Sequence, residues 1–345
     1  MLVLLSKRYK NSVHNLIGVL KLNMLAGNIT ANKTSLARIK IVNDKPLLTQ
    51  FQEFENAQFS GFDSILALYV RQHNGENRTA CFGVAGPVMQ NSVDVTNIPW
   101  KIDGNEIKEK YSFSEVKICN DIVTTAKGLF ELPDDKFFAI NAGNKIKGGN
   151  IGLLAAGYGL GEGLVFYDGS QYHPYASEGG HTGFTPGNQI EVELWEHLYS
   201  NLGFVEVEDV LSLKGLLRIY EFLLSTKRIT KADWYKKADD KASKIIEFGL
   251  SGQDEIAVMT LDLFIDCFAS EAANLALKGM TLSGVYLGGI IAPQIITALE
   301  QGRFMERFAH KGKMESLLAK IPVNVIIDEK IALKGAGTIA YELSK

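Results

Sequence analysis

Cysteine is scarce in this 345-residue chain: only Cys81, Cys119 and Cys267 occur, far apart and odd in number. Their spacing fits neither a zinc site nor a disulfide framework, so a reducing, cytoplasmic compartment is expected. Each reads as a small buried apolar group rather than a nucleophile. An excess of one charge is also missing. With 36 Lys and Arg against 39 Asp and Glu, the net charge of −3 gives no electrostatic reason to expect nucleic acid as a partner. No apolar run approaches the ~20 residues that span a bilayer, so no membrane association is expected. Acidic residues are absent from the first 23 positions, which hold Lys7, Arg8, Lys10 and Lys21. That stretch lacks the apolar core and small-residue cleavage site of a signal peptide. It reads as an extension ahead of a fold that starts near Met24, with an amphipathic surface helix as the alternative. It is also too short for a helix-turn-helix domain and linker, which disfavours a DNA-binding repressor. Low-complexity tracts and simple repeats of roughly 20–50 residues are absent too.

What is present is a large apolar fraction, 46%, enough for a sizeable core and for two domains. Residues 24–27 and 35–42 read as two strands joined by a polar turn, the second with clear alternation. Over 61–73 the spacing of Phe62, Ile65, Leu66 and Tyr69 predicts a helix with one apolar face. Strands are expected at Thr79–Ala85 and Val116–Cys119, followed by a helix from Ile122 to Leu129 that Asp121 is placed to cap. In the second half, Asn150–Ala156 and Glu162–Tyr167 read as strands around the turn Gly157-Tyr158-Gly159-Leu160-Gly161. From about 189 to 280 the pattern is largely helical. Its clearest helix is Ile256–Leu277, with Leu261, Phe264, Phe268, Ala272 and Leu275 on one face. A strand returns at Val285–Leu287 and ends in Gly288-Gly289. Strand pairs with glycine turns in both halves predict two related α/β lobes.

The run from Gly27 to Thr34 nearly spells a P-loop. The residues after it alternate as a strand, whereas a P-loop opens a helix whose amides cradle phosphate, so the match is accidental. More informative is Asn120-Asp121 at a strand end, where α/β sheets present ligand residues. Ser177-Glu178-Gly179-Gly180-His181 offers hydrogen-bonding side chains around two glycines that permit close backbone approach. Glu208 lies just ahead of Val210-Leu211-Ser212. Carboxylates, Asn and His together can saturate the vicinal hydroxyls of a sugar, and such a site rejects analogues lacking them. Taken singly, each residue has a plainer reading: Asp121 as a helix cap, His181 as a satisfied structural histidine, Glu208 as a surface charge.

Several segments together resemble the bacterial glucokinases. They are Gly83–Val88, Thr96–Trp100, Asn120-Asp121, Gly157–Glu162, Glu178–His181, Val210–Ser212 with Gly215, Leu287–Pro293 and Gly302–Phe304. The matches follow the family's order from about residue 24 to 340. The resemblance implies the hexokinase-type, actin-like ATPase fold (ribonuclease H-like): two α/β lobes, with a largely helical insertion in the larger one. It implies a small domain of 24–131 plus 332–345, a large domain of 132–331, a sugar cleft between lobes, and a homodimer. It implies ATP and Mg²⁺, the ion held through phosphates and water, and phosphorylation of glucose or a close hexose at the 6-hydroxyl. Carried over by position, Asp121 is the general base. Asn120, Asp121, Glu178, His181 and Glu208 are the sugar ligands. Gly27, Asn28, Ile29, Thr30, Ala31 and Asn32 form the first phosphate loop, Gly157, Tyr158 and Gly159 the second, and Gly288-Gly289 the adenosine-contacting turn.

The chain departs from the family on the nucleotide side. Where the family reads Asp-Ile-Gly-Gly-Thr, this sequence has Asn28-Ile29-Thr30-Ala31-Asn32. Asn28 removes a carboxylate expected near hydrated Mg²⁺. If the turn needs φ > 0 at Thr30, a β-branched residue costs about 1–2 kcal/mol there. Tyr158 replaces a threonine, and Leu213 stands where a glycine is usual. The expected function is therefore ATP-dependent glucose phosphorylation, with a sugar-binding pseudokinase or sensor of weakened ATP use as the alternative.

Overall fold

A computed structural model describes residues 24–42, 45–73, 78–96, 98–227 and 232–345. The extension 1–23 and Asn97 lie outside the described residues. The chain divides into two compact units. One runs to Leu132 and takes in Lys330–Lys345, and the other is Pro133–Glu329.

The first unit is built on β1 (Met24–Ile29), β2 (Lys33–Val42), β3 (Lys45–Glu55) and β4 (Thr79–Val84). A small hairpin of β5 (Ser92–Asp94) and β6 (Lys101–Asp103) follows, then β7 (Glu115–Asn120). The main sheet has the order β3-β2-β1-β4-β7; β1–β2 and β2–β3 are antiparallel, while β1, β4 and β7 run parallel. Alternation explains why β1 is apolar up to Asn28: successive side chains point to opposite faces, and both faces are covered. Leu25 and Ile29 pack toward α1 (Phe62–Gln72), whose buried residues are Phe62, Ile65, Leu66 and Tyr69, as the helical period predicts. Met24 and Ala26 pack with Ala37, Ile39, Cys81 and Cys119 against Leu333, Ala336, Ile339 and Ala340 of the C-terminal helix Ile331–Glu342. Each aliphatic side chain so buried stabilises the fold by roughly 1.5–3 kcal/mol. Lys33–Val42 is strand, so the P-loop-like run opens a hairpin and no helix. Two further helices are α2 (Gly104–Lys110) and α3 (Asp121–Gly128).

The second unit holds β8 (Phe137–Asn141), β9 (Ile151–Ala156), β10 (Leu160–Tyr167), β11 (Tyr172–Ser177), β12 (Gly284–Gly289) and β13 (Val323–Ile326). Their order is β11-β10-β9-β12-β13-β8. Its first five strands repeat the first unit's sheet: two antiparallel pairings, then two parallel ones. Between β11 and β12 lies the helical insertion, with α4 (Gln189–Leu202), α5 (Leu213–Lys227), α6 (Lys241–Ser251) and α7 (Glu255–Gly279) as its main helices. The expected single apolar face of α7 proves too narrow. Beyond Leu261, Phe264, Phe268, Ala272 and Leu275, it also buries Leu263, Ile265, Cys267 and Glu271, as a helix enclosed on nearly all sides must.

Candidate active site

Within the first unit, the register pairs Ile29 with Val84 and Val84 with Asn120, so the carboxyl ends of β1, β4 and β7 lie along one sheet edge. Asn28 and Asp121 therefore share that edge, two strand spacings or about 10 Å apart along it. The expectation that Asp121 caps α3 is corrected here. Asn120 is the N-cap: its Oδ1 accepts from the Ile122 amide at 2.8 Å, and its Nδ2 donates to the Gly86 carbonyl at 3.0 Å. Asp121 is the first helical residue, and its backbone carbonyl accepts from the hydroxyls of Thr124 (2.9 Å) and Thr125 (2.8 Å). Both residues are good caps, and the extended backbone falls at Asn120.

The first glycine-poor turn is Thr30-Ala31-Asn32, between β1 and β2. It is pinned by Asn56, which is 4% exposed. The Asn56 side-chain amide donates to the carbonyls of Thr30 (2.8 Å) and Ala31 (3.2 Å), its backbone amide donates to the Asn32 carbonyl (2.8 Å), and its Oδ1 accepts from Thr34 (2.8 Å). Thr30 Oγ1 donates to the Lys33 carbonyl at 3.0 Å and accepts from the Lys33 amide at 3.2 Å. None of Asn28–Asn32 has positive φ, so the expected strain at Thr30 does not arise. Asn28 Oδ1 is buried with no hydrogen-bond partner, an acceptor held in reserve at the strand end. Gly27 serves packing: a Cβ there would meet the Phe82 ring at 2.6 Å and Leu36 at 2.8 Å.

In the second unit the equivalent hairpin turn is Gly157-Tyr158-Gly159, shorter than the five-residue turn expected because Leu160 and Gly161 already belong to β10. Tyr158 is exposed at its tip. Gly289 pairs in register with Ala156, so the Gly288-Gly289 turn and the Gly157–Gly159 turn end neighbouring parallel strands. Gly289 has φ +81°, and a Cβ there would stand 2.2 Å from the Ala156 carbonyl, so only glycine fits.

Glu178, His181 and Glu208 come together in this unit. The Glu208 amide donates to the Gly180 carbonyl (2.8 Å) and the Val207 amide to that of Thr182 (2.9 Å), tying the two segments side by side. Glu208 Oε2 accepts from the Leu160 amide at 2.8 Å and lies against Gly159. His181 Nδ1 meets Glu206 Oε2 at 2.8 Å, and its Nε2 lies 3.9 Å from Glu178 Oε2. The Glu206 hydrogen bond, then the nearby carboxylates of Glu208, Glu206 and Glu178, raise the His181 pKa above 6.5 against the lowering effect of burial. Glu206, which orients the imidazole, was not among the expected residues. The run Val205-Glu206-Val207-Glu208 carries the signal: Val205 and Val207 are buried, and the two glutamates share the other face. Leu213 supplies a backbone contact, its amide donating to the Gly157 carbonyl at 2.8 Å. Its side chain packs against the core of the unit. Ser212 Oγ accepts from the Gly215 amide at 3.0 Å, a cap for the start of α5.

The glucokinase family model matches residues 25–343. The chain belongs to the glucokinase family. A glucokinase from Nostoc sp. is 32% identical over 339 residues, spanning 93% of this chain and 99% of the relative. Among solved structures, the glucokinase of an Antarctic psychrotroph matches with a TM-score of 0.79 at 26% identity, over 92% of this chain and 98% of that one. A ROK family glucokinase from Streptomyces griseus, solved with glucose and AMPPNP, matches with a TM-score of 0.64 at 16% identity, over 92% and 99% of the two chains. These likenesses establish the actin-like ATPase fold and a glucokinase-type enzyme. No helix among the described residues is long and apolar enough to cross a membrane.

Proposed function

We propose that this glucokinase-family chain transfers the γ-phosphoryl group of ATP to the 6-hydroxyl of glucose, with Asp121 as general base. The observation that carries this reading is the division of roles at the end of β7. Asn120 caps α3, and Asp121 is presented in the first turn, on the sheet edge that also holds Asn28. In the reaction the O6–phosphorus bond forms and the bond from phosphorus to the β,γ-bridging oxygen breaks. ADP keeps that electron pair, and the O6 proton passes to Asp121. Glu178, His181 and Glu208 orient the sugar by its hydroxyls. Asn120 retains one amide N–H and one lone pair for the same purpose.

ATP with Mg²⁺ supplies the phosphoryl group and neutralises its charge. The residues present fit it. Asn28 Oδ1 is an acceptor without a partner, suited to a cation's hydration water. The amides of Thr30–Asn32 and Gly157–Gly159 lie at strand ends, and Gly288-Gly289 brings bare backbone to the same edge of its own sheet as Gly157. Three free, buried cysteines agree with a cytoplasmic setting.

A coupled assay for ADP, run with calorimetry on the same sample, tests the reading. Glucose-dependent ADP formation is expected, and Asp121→Asn lowers kcat by about 10²–10⁴-fold while glucose affinity stays within about threefold. Normal turnover by Asp121→Asn would sink the base assignment. The second reading, a sugar-binding sensor, is favoured by one feature: Asn28 is a neutral amide where the family carries a carboxylate. Glucose binding with no ADP at saturating Mg-ATP would establish that reading and overturn the first.

A further inference from the structure

Beneath the loop Glu178–His181 lies a charged residue that the proposed reaction does not use. Glu162, on β10, is 3% exposed, and its Oε1 has no hydrogen-bond partner. Its carboxyl fills the space where a side chain of Gly179 would begin. A Cβ at Gly179 would stand 2.2 Å from Glu162 Oε2 and 2.7 Å from Cδ. The next glycine, Gly180, lies as closely over the Leu160 carbonyl, its Cβ position 2.3 Å from that oxygen. Leu160 and Glu162 are two residues apart and face the same side of β10. The two glycines of the loop therefore rest on that strand, one against the Leu160 carbonyl and one against the Glu162 carboxyl.

Burying a carboxyl without a partner is unfavourable, and an apolar side chain would fill the space without that cost. A branched aliphatic group, however, would hold the loop further out than a planar one. The carboxyl also feels charges carried by α7. Glu271, itself 7% exposed and ion-paired through Oε1 with Lys278 Nζ at 3.8 Å, raises its pKa, and Lys278 acts the other way. Lys311 Nζ, bonded to Ser270 and Asn274, closes the cluster.

We infer that Glu162 is a positioning residue of the sugar site: its carboxyl is the rest on which Gly179 lies, and it sets the height at which Glu178 and His181 meet the ligand. The inference rests on the reading of those two residues as sugar ligands.

A double-mutant cycle read by glucose calorimetry tests it, with ATP affinity and melting temperature measured on each protein. Gly179→Ala, which drives a methyl into the carboxyl, weakens glucose binding by about 30-fold, and Glu162→Ala, which removes the rest, by about tenfold. ATP affinity stays within about twofold in both. In Glu162→Ala/Gly179→Ala the new methyl occupies the vacated space, so the double variant binds glucose better than Gly179→Ala alone. Glu162→Gln keeps the planar shape and binds within about threefold of the parent protein, which covers the case in which a cycle member fails to fold. A double variant whose loss is the product of the single losses overturns the inference, as does a loss beyond about tenfold in Glu162→Gln or a fall in melting temperature with glucose affinity unchanged. Glu178→Gln separates the two levels: if it leaves glucose affinity unchanged, the sugar-ligand reading fails, whatever the cycle gives.

Discussion

Gly159→Ala joins the two halves of the site in one measurable substitution. Gly159 belongs to the turn assigned to phosphate, while Glu208, against which it packs, belongs to the sugar set. A Cβ on residue 159 would lie 2.4 Å from Glu208 Oε2 and 3.1 Å from its Cδ, against a floor of 3.0 Å for real Cβ contacts. The oxygen must therefore retreat by at least 0.6 Å, the difference between 3.0 and 2.4. Its bond from the Leu160 amide, now 2.8 Å, then moves toward the edge of hydrogen bonding. Losing a hydrogen bond to a charged group costs about 1.5–3 kcal/mol. If that loss appears in the bound state, glucose affinity falls by about 10- to 100-fold at 1.4 kcal/mol per decade. Calorimetry on Gly159→Ala, Glu208→Ala and the double variant measures it. The double variant is expected to lose little beyond Glu208→Ala alone, because both changes remove the same placed carboxylate. Glucose affinity within twofold of the parent in Gly159→Ala, with Glu208→Ala impaired, would refute the reasoning.

Three further expectations concern single side chains. Burial, reinforced by Glu271, raises the Glu162 carboxyl from 4.5 to about 7, so folding favours its neutral form. Its contribution to stability is intact below about pH 4.5 and is lost as pH rises to 7, by about 3 kcal/mol. Glu162→Gln removes that slope in denaturant melts between pH 5 and 8; an unchanged slope contradicts the assignment. Asn28→Asp raises turnover with Mg-ATP, while Thr30→Gly adds none and lowers stability by about 1 kcal/mol, since Thr30 is unstrained and bonded to Lys33. A rise in kcat from Thr30→Gly alone would show the turn to be sterically limiting after all. Arg307→Ala strips the fully buried Glu191 carboxylate of bonds at 2.9 and 3.0 Å. It should destabilise the protein by about 3–5 kcal/mol in chemical denaturation, and a loss under 1 kcal/mol would mean the charge finds other partners.

The parts legible in the sequence are those where burial is one-sided and local. The face of α1 is readable because Phe62, Ile65, Leu66 and Tyr69 alone are buried on it. The strand β3 passes unnoticed because it is an edge strand with no fully buried residue, its apolar and polar side chains mixed on both faces, and Gln50 at positive φ interrupts its alternation. The cap of α3 is misread because Asn120 and Asp121 are chemically equivalent candidates, and only backbone conformation separates them. Glu162 is illegible for a different reason. Charges are placed outside by default, and nothing nearby in the chain signals that Gly179 leaves room for a carboxyl. Glu206 falls between these cases, since its alternation with Val205 and Val207 is visible while its bond to His181 depends on a segment 25 residues away.

The repeated strand order sharpens what the altered first turn means. Thr30-Ala31-Asn32 and Gly157-Tyr158-Gly159 are three-residue turns at the same place in two sheets of the same order. The second achieves close approach with glycine, and its flanking contacts to Glu208 and Leu213 use that closeness. The first is supported from below, by three hydrogen bonds that Asn56 donates to its carbonyls, and has no positive φ. Threonine therefore suits the turn, whose conformation does not call on glycine's freedom. Against the loop pattern that the sequence resembles, the difference is one of charge: Asn28 presents an amide oxygen, buried and without a hydrogen-bond partner, in place of the expected carboxylate. A hydrated cation at this position would lose coulombic attraction and keep a hydrogen-bond acceptor, so the effect should fall on Mg-ATP affinity before it falls on the geometry of transfer.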